Sequence, residues 1–83
     1  MHYVYLLYSE KSDRYYIGST GDLDQRLQSH NSKSNQSTRH GAPWKLVYYE
    51  AYEHRIDALN REYRLKHHGK GIAEVKKRLS IRR

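Results

Sequence analysis

The sequence predicts one small α+β domain whose elements follow the order β-β-α-β-α-α. Two short stretches rich in tyrosine and β-branched residues stand near the start and are separated by polar, turn-forming residues. A third apolar stretch follows later, and the remaining segments space their apolar residues with the period of an α-helix. A chain of 83 residues has room for one domain, so we assign residues 1–83 to a single unit.

The first two strands are predicted to form a hairpin. Residues 2–8 are aromatic and aliphatic except for one histidine, residues 9–14 are turn-forming, and residues 15–19 have the composition of a second strand. Neighbouring antiparallel strands place opposed side chains about 5 Å apart. The hairpin therefore brings the region of Tyr5 beside the region of Tyr16.

A helix is expected directly after the hairpin. Asp22 and Gln25 have the spacing of a capping box, and two leucines one turn apart supply an apolar face. We expect this helix to run to about His30. Arg26 and His30 are four residues apart and therefore share a face of it.

A polar segment and a third strand come next. Residues 31–41 are almost wholly polar and turn-forming, which predicts a mobile loop of a length that is usually functional or disordered. Residues 44–52 follow Pro43 and predict a strand. The centre of that strand, residues 46–49, is continuous enough in apolar character to be the middle of a sheet.

Two helices complete the predicted fold. Residues 55–67 show helical periodicity, the glycines of residues 69–71 are expected to end that helix, and residues 72–79 predict a last short helix. Glu62 is unusual because its neighbours three and four residues away are largely apolar. Its carboxylate is therefore expected on the side of the helix that faces the sheet.

Composition favours a polyanionic partner. The chain carries 16 Lys and Arg against nine Asp and Glu, for a formal charge of +7. On so small a surface this creates a positive potential, and nucleic acid is favoured over general solubility as its explanation. A membrane partner is not expected, because no helical stretch pairs a basic face with a large apolar one.

Cysteine chemistry is excluded, because the chain has none. The start of the chain lacks a basic leader followed by an apolar run, and no apolar run approaches the length that spans a membrane. A cytoplasmic location is the resulting expectation. Nine tyrosines and no phenylalanine mean that the aromatic groups carry hydroxyls, and several of them must also serve as core residues.

The order of these elements and their motifs resembles the GIY-YIG nuclease superfamily, and most closely its small standalone members. The likeness spans essentially the whole chain. It rests on the strand with Tyr3-Val4-Tyr5 and on the segments Tyr16–Thr20, Asp22-Leu23, Arg26 to His30, Ser37-Thr38-Arg39, Leu46-Val47-Tyr48 and Ala58-Leu59 with Glu62 and Leu65-Lys66.

The resemblance implies a three-stranded antiparallel sheet flanked by helices, an α/β sandwich-like arrangement, with the site residues converging on one face. It implies hydrolysis of a phosphodiester with one divalent cation, Mg²⁺ or Mn²⁺. Glu62 corresponds to the metal ligand, Arg26 to the group that holds the scissile phosphate, and His30 to a frequent auxiliary. Tyr5 and Tyr16 correspond to the tyrosines around the attacking water.

This chain departs from the family pattern at two places. The first triplet, Tyr3-Val4-Tyr5, lacks the family's glycine. Many catalytic members place an asparagine roughly a dozen residues after the glutamate, whereas that stretch here contains Glu74 and no asparagine. A nucleic-acid-binding protein that keeps the fold without efficient catalysis is therefore the alternative to an endonuclease.

The residue types suit this chemistry, and each also has an ordinary structural interpretation. A phenol has a pKa near 10, which a nearby cation would lower, so Tyr16 is the candidate base or water-orienting group and Tyr5 supports it. Both could instead be ordinary strand tyrosines. Arg26 can make two parallel hydrogen bonds to a phosphate or be a surface arginine.

Histidine and glutamate carry similar alternatives. His30 could serve as acid, base or phosphate donor, or satisfy carbonyls at the end of its helix. Glu62 offers a hard oxygen ligand for Mg²⁺ or Mn²⁺, or could pair with a neighbouring cation, for which Arg26, Arg61 and Lys66 are the candidates.

The remaining basic residues are expected to contact phosphates or to be solvated. Such contacts give affinity without sequence choice. The adjacent histidines 67 and 68 face different directions on a helix and do not predict a metal site. DNA is the expected partner, with RNA as an alternative and a partner protein as a source of specificity. The predicted nucleic-acid contacts are Arg39, His40, Lys66 and Lys70, with Lys76, Lys77, Arg82 and Arg83 as further phosphate-contacting or solvated residues.

Overall fold

The computed structural model describes residues 1–32, 36 and 38–81. It confirms the α+β class and the order β-β-α-β-α-α. Ser37 of the predicted motif, Arg82, Arg83 and part of the predicted loop lie outside the described residues. The elements are β1 (His2–Ser9), β2 (Arg14–Thr20), α1 (Leu23–Asn31), a short 3₁₀ helix (Arg39–Gly41), β3 (Lys45–Tyr52), α2 (Arg55–His67) and α3 (Gly69–Ile81).

The three strands form one antiparallel sheet in the order β2-β1-β3. The expectation that the third strand lies in the middle is therefore wrong. β1 is central because four successive side chains, Val4 to Leu7, are all buried and supply apolar surface to both faces. β3 is an edge strand whose Tyr49 stays 53% exposed, and its pairing with β1 is interrupted by an irregularity.

The hairpin register places the two site tyrosines on a diagonal. Tyr5 pairs with Gly18, and Leu7 pairs with Tyr16. Because side chains alternate across a strand, Tyr5, Tyr16 and Gly18 belong to one face of the sheet. The predicted neighbourhood of the two tyrosines is confirmed, and their ring centroids are 6.5 Å apart.

Each face of the sheet packs against a different helix. On what we term the α1 face, Tyr5, Leu7 and Trp44 form a core cluster that α1 covers with Leu23 and Leu27. On the opposite α2 face, Val4 packs with Ala58 and Leu65 of α2, and Ile17 and Tyr52 adjoin them. The sheet thus separates two small cores, and the polar groups discussed below are distributed between them.

The helix boundaries follow local hydrogen bonding. The Asp22 side chain accepts a hydrogen bond from the Gln25 backbone N–H at 3.1 Å, which confirms the predicted start of α1. α2 ends at His67, as predicted, but Gly69 already begins α3. The glycines therefore form the first turn of α3 instead of a separate linker. Within the described residues, no helix is long and apolar enough to cross a membrane.

The segment between α1 and β3 is anchored where the structure describes it. The Asn31 side chain accepts a hydrogen bond from the Trp44 backbone N–H at 2.5 Å and donates one to its carbonyl at 3.1 Å. The Trp44 indole N–H donates to the Thr38 carbonyl at 2.7 Å. These described residues are held by the core, which is not what a wholly mobile loop would show.

Candidate active site

Tyr5 reaches the edge of the sheet by passing directly over Gly18. A Cβ atom at Gly18 would lie 2.6 Å from the Tyr5 Cζ, closer than real Cβ atoms approach any neighbour. Glycine is therefore required at this position by the close approach of a ring rather than by an unusual backbone angle. The Tyr5 hydroxyl is placed by this contact, and the residue is only 2% exposed.

A buried chain of hydrogen bonds runs behind Tyr5. The Tyr5 hydroxyl lies 2.9 Å from His30 Nε2, and His30 Nδ1 lies 2.7 Å from the Thr38 hydroxyl. His30 is fully buried and Thr38 is 1% exposed. Both ring nitrogens of His30 are bound to side chains, so the interpretation in which the imidazole satisfies carbonyls at the helix end is wrong.

Burial shifts the pKa values of the groups in this series of hydrogen bonds. Burial, followed by the neighbouring Tyr16, raises the pKa of Tyr5 to about 12, against the opposing effect of Arg26. Burial, assisted by the Arg26 cation, lowers the pKa of His30. His30 is consequently a neutral imidazole near neutral pH, and a neutral imidazole can accept a proton at one nitrogen.

Tyr16, on β2, lies against the hydrogen-bonded side chains of Tyr5 and His30. Its ring centroid is 5.0 Å from that of His30 and 6.3 Å from that of Trp44, both in edge-on geometry. Tyr16 is partly exposed, whereas Tyr5 and His30 are buried. Of these three side chains, Tyr16 is the one most open to an incoming substrate.

Arg26 is partly buried beside the Tyr5 hydroxyl and His30, since its charge shifts the pKa of both. Among the residues that the structure describes, no carboxylate forms an ion pair with Arg26. A partly buried guanidinium without an internal counter-charge is suited to an anionic ligand, because its planar fork can bind a phosphate through two hydrogen bonds.

Glu62 approaches the site from the other face of the sheet. Its side chain is 19% exposed, accepts a hydrogen bond from Ser19 at 2.8 Å and forms an ion pair with Lys66 at 2.8 Å. This agrees with the predicted sheet-facing direction. It corrects the expectation that the glutamate shares a face with the tyrosines, because Ser19 alternates with Gly18 and so points toward α2.

The charge of Glu62 adds to the raised pKa of Tyr5, after the larger effects of burial and Tyr16. Burial opposes ionisation of Glu62, but the hydrogen bonds from Lys66 and Ser19 outweigh it and lower the pKa of the carboxyl. Of the three cations that sequence analysis offered as partners, Lys66 is the one that pairs. Arg61 pairs with Glu50 instead.

The side chains present could hold a divalent cation only together with oxygens from water and from a substrate phosphate. Within residues 1–32, 36 and 38–81, no three acidic or imidazole side chains lie close enough to enclose a metal ion. Mg²⁺ is commonly held by one or two carboxylates, with water and substrate phosphate supplying the other oxygens. Glu62 can provide such a carboxylate oxygen if Lys66 moves away from it.

The predicted nucleic-acid contacts are all exposed, but they lie in different parts of the molecule. Arg39 and His40 belong to the 3₁₀ helix and are joined by a long contact of 3.4 Å between Arg39 Nε and His40 Nε2. Lys66 lies beside Glu62, and Lys70 is in the first turn of α3. Arg39, His40 and Lys66 are therefore next to candidate site residues in sequence or space, whereas Lys70 has no such link.

Sequence analysis gave no role to three residues that shape the site. Gly18 admits the Tyr5 ring, Ser19 holds Glu62, and Thr38 holds His30. A glycine within a strand pattern is a usable sign of close approach by another group, so Gly18 could have been found. Ser19 and Thr38 lie in segments that carry the family resemblance, but no local pattern indicates their partners, which are distant in sequence.

Comparison with known proteins assigns the family. Residues 1–77 match the family described as the GIY-YIG catalytic domain. A UPF0213 protein of Clostridium perfringens is 40% identical over 67 residues, which are 80% of this chain and 71% of that protein. A UPF0213 protein of Haloquadratum walsbyi is 39% identical over 67 residues, 78% of this chain and 73% of the relative.

A solved structure agrees with this assignment. The solution NMR structure of the UPF0213 protein BH0048 from Bacillus halodurans has a TM-score of 0.56 and 35% sequence identity, covering 90% of this chain and 82% of that one. The chain therefore belongs to the GIY-YIG family, and its relatives are small proteins of the UPF0213 group. The names of those relatives state no activity.

Proposed function

We propose that this protein is a divalent-metal-dependent endonuclease that hydrolyses phosphodiester bonds in DNA. The observation that carries the proposal is Arg26, a partly buried cation without an ion-pair partner among the described residues, placed beside the Tyr5–His30 hydrogen bond. A phosphate bound there would be next to both tyrosines. The net charge of +7 supports a polyanionic substrate.

The hydrogen bonds support a division of labour between the tyrosines. A water molecule that attacks phosphorus must lose a proton as the new P–O bond forms and the bond to the leaving oxygen breaks. Tyr5 can accept that proton while its own passes to His30 Nε2, 2.9 Å away, provided that Nδ1–H donates to Thr38. Tyr16, which is more exposed, would orient the water.

Arg26 and Glu62 complete the proposed site. Arg26 would hold the phosphate and counter the charge that accumulates on its oxygens in the transition state. Glu62 would hold Mg²⁺ or Mn²⁺, which when bound polarises the phosphate and favours ionisation of water. The exposed Arg39, His40, Lys66 and Lys70 would add phosphate contacts that give affinity without sequence choice.

Cleavage assays test the assignment directly. Purified protein is incubated with supercoiled, branched and single-stranded DNA in the presence of Mg²⁺ or Mn²⁺. We expect Glu62→Gln and Tyr16→Phe each to lower the rate about 100-fold or more. Glu74→Gln and Tyr49→Phe change the same residue types at exposed sites and should retain activity. Full cleavage by Glu62→Gln would show that the assigned site is wrong.

A second function has one observation in its favour. The Glu62 carboxylate is engaged by Ser19 and Lys66, and a metal ion must compete with both. If that competition fails, the protein would bind nucleic acid through its basic surface without cutting it, and a partner would have to supply any chemistry. Salt-dependent DNA or RNA binding without cleavage in any metal would identify this case.

A further inference from the structure

We propose that a cavity between the β1–β2 turn and the 3₁₀ helix is a subsite for one unpaired nucleobase next to the scissile phosphate. The cavity measures about 300 Å³. The residues that line it are Ser12, Arg14, Tyr15, Tyr16, His40, Gly41 and Trp44. The proposal rests on the proposed function and specifies its substrate class.

The aromatic walls of this cavity are fixed before any ligand binds. Trp44 is held by its indole hydrogen bond to Thr38, and its ring lies so close to Gly41 that a Cβ there would be 3.0 Å from its Cε2. Tyr15 lies against Tyr8, with ring centroids 4.9 Å apart, while Lys76 Nζ sits 4.6 Å from the Tyr15 ring centroid. Because these rings are already ordered, less conformational entropy is lost when a ligand binds.

The cavity combines aromatic surface with positive charge. Arg14 and His40 are exposed on its rim, and among the described residues Arg14 makes no ion pair. Aromatic surfaces favour the flat faces of bases, and cations favour the phosphates on either side. A volume of about 300 Å³ is at the lower end for small-molecule sites and suits one nucleotide rather than a duplex.

Tyr16 connects the cavity with the candidate active site. The same ring that lines the cavity lies 5.0 Å from His30 and 6.5 Å from Tyr5, measured between centroids. A base held in the cavity would therefore place the neighbouring phosphate near the Tyr5–His30 pair. The substrate that satisfies both sites is a DNA strand with an unpaired nucleotide beside the bond to be cut.

The test measures binding in the absence of metal, so that it is independent of cleavage. Trp44 is the only tryptophan in the sequence and reports on the cavity by its fluorescence. Protein in a chelating buffer is titrated with short single-stranded DNAs in which one abasic nucleotide is moved through each position. We expect one position at which the missing base weakens binding about tenfold and removes the fluorescence change.

Variants at the cavity give matched controls. Ser12→Leu fills the cavity without changing charge and should weaken binding of intact DNA to the level of the abasic strand. Arg14→Ala and Lys11→Ala remove the same charge from nearby positions, since Lys11 lies in the β1–β2 turn and Arg14 begins β2. Of the two, Arg14 lines the cavity, so only Arg14→Ala should lose affinity beyond the general electrostatic decrease. Lys11→Ala should keep the difference between intact and abasic DNA.

The outcomes separate this inference from the proposed function. Equal binding of every abasic strand by the wild-type protein would overturn the base subsite, even if the protein cuts DNA. Equal effects of Arg14→Ala and Lys11→Ala would overturn a specific role for Arg14. Position-dependent binding without any metal-dependent cleavage would support the subsite and reject the endonuclease.

Discussion

Two clusters contain the same residue types, two tyrosines, an arginine and a glutamate, but their side chains are paired with one another to different extents. On the α2 face, Glu50 accepts hydrogen bonds from the hydroxyls of Tyr48 and Tyr52 at 2.5 and 2.7 Å. Arg61 adds two further bonds to the same carboxylate, at 2.9 and 3.1 Å. Two tyrosines, an arginine and a glutamate there form a closed network in which the charges satisfy each other.

The α1 face has two tyrosines and an arginine as well, but the glutamate of that candidate site, Glu62, lies on the α2 side of the sheet. Arg26 has no carboxylate partner among the described residues, and Glu62 is held by Ser19 and a partly exposed lysine. Separating the opposite charges leaves a cation and an anion that can each accept a ligand. Residue types therefore do not distinguish a structural network from a site, whereas their pairing does.

Raised tyrosine pKa values make the same point. Burial, followed by hydrogen bonding to Glu50, raises the pKa of Tyr52 to about 12. Burial, followed by Tyr16, raises the pKa of Tyr5 to about 12. The two hydroxyls differ in their partners, because the Tyr52 hydroxyl donates to a carboxylate that is also bound by Arg61, whereas the Tyr5 hydroxyl lies against the imidazole of His30.

Glu50→Gln should lower the stability of the protein more than the other substitutions proposed below. The change leaves Arg61 without its counter-charge, and because the pair is partly exposed we expect a loss of about 2 kcal/mol in the free energy of unfolding, below the range for fully buried pairs. For a domain of this size that lowers the midpoint of thermal unfolding by about 10 °C. Circular dichroism melting curves measure it.

Glu62→Gln is the matched substitution in the candidate active site. Its pair with Lys66 is more exposed, so the same melting experiment should show a loss below about 1 kcal/mol. A larger loss from Glu62→Gln than from Glu50→Gln would mean that the network around Glu50 does not contribute more to stability than the Glu62 pair.

Gly18→Ala is expected to give the next largest loss of stability after Glu50→Gln, and it affects the α1 face. The added methyl collides with the Tyr5 ring, which must move, and overpacking of this kind costs about 1–2 kcal/mol. Cleavage should fall with it, because the Tyr5 hydroxyl leaves its position against His30. Gly69→Ala is the control, since a Cβ there has no neighbour within 4 Å. Equal melting temperatures for both variants would argue against the close contact.

Local patterns predicted most of the fold. The capping residues Asp22 and Gln25 and the periodicity of residues 55–67 predicted α1 and α2 because those interactions lie within one helix. The strand order could not be obtained this way. Apolar continuity made residues 46–49 look central, but position in a sheet depends on which strand has partners on both sides, and that information is not local.

The site was predictable only in part for a similar reason. The family motifs gave Tyr5, Tyr16, Arg26, His30 and Glu62 as candidates, but not which of them are bound to other side chains. The pairs Tyr5–His30 and Ser19–Glu62 join residues 25 and 43 positions apart, and no spacing rule connects them. The difference between closed and open networks is therefore a property of tertiary structure.

Acidification should lower the stability of the protein through His30. Burial and the Arg26 cation lower the pKa of folded His30, while an unfolded histidine titrates near 6.5. Below that pH the unfolded chain binds a proton that folded His30 does not, so the free energy of unfolding should fall as the pH drops below about 6.5. Urea unfolding between pH 5 and pH 8, roughly the window around that pKa, measures it.

Matched histidine variants identify the group responsible. His30→Gln should be less stable but should lose this part of the pH dependence, because glutamine does not titrate. His67→Gln, on the exposed end of α2, should retain it. An unchanged pH dependence in His30→Gln would show that the buried imidazole is not its source.

Lys66→Met should have the smallest effect on stability, and it should specifically change metal binding at Glu62. The Lys66–Glu62 pair is between positions one turn apart, and the lysine side chain is 42% exposed, so its removal should cost less than about 0.5 kcal/mol. The same change frees one oxygen of Glu62 from its internal cation. We therefore expect Mn²⁺ to bind several-fold more tightly, as measured by isothermal titration calorimetry without nucleic acid.

Lys70→Met makes this prediction specific, because it removes the same charge close by in sequence without touching Glu62. A general change in surface potential would strengthen Mn²⁺ binding equally in both variants. Release of Glu62 would strengthen it only in Lys66→Met, and the effect would disappear in the double variant with Glu62→Gln. Tighter binding in Lys70→Met alone would contradict competition between lysine and metal. No equivalent change is expected in the Glu50 network, because Glu50 has four bonds from three protein groups and loses only part of them when any one is removed.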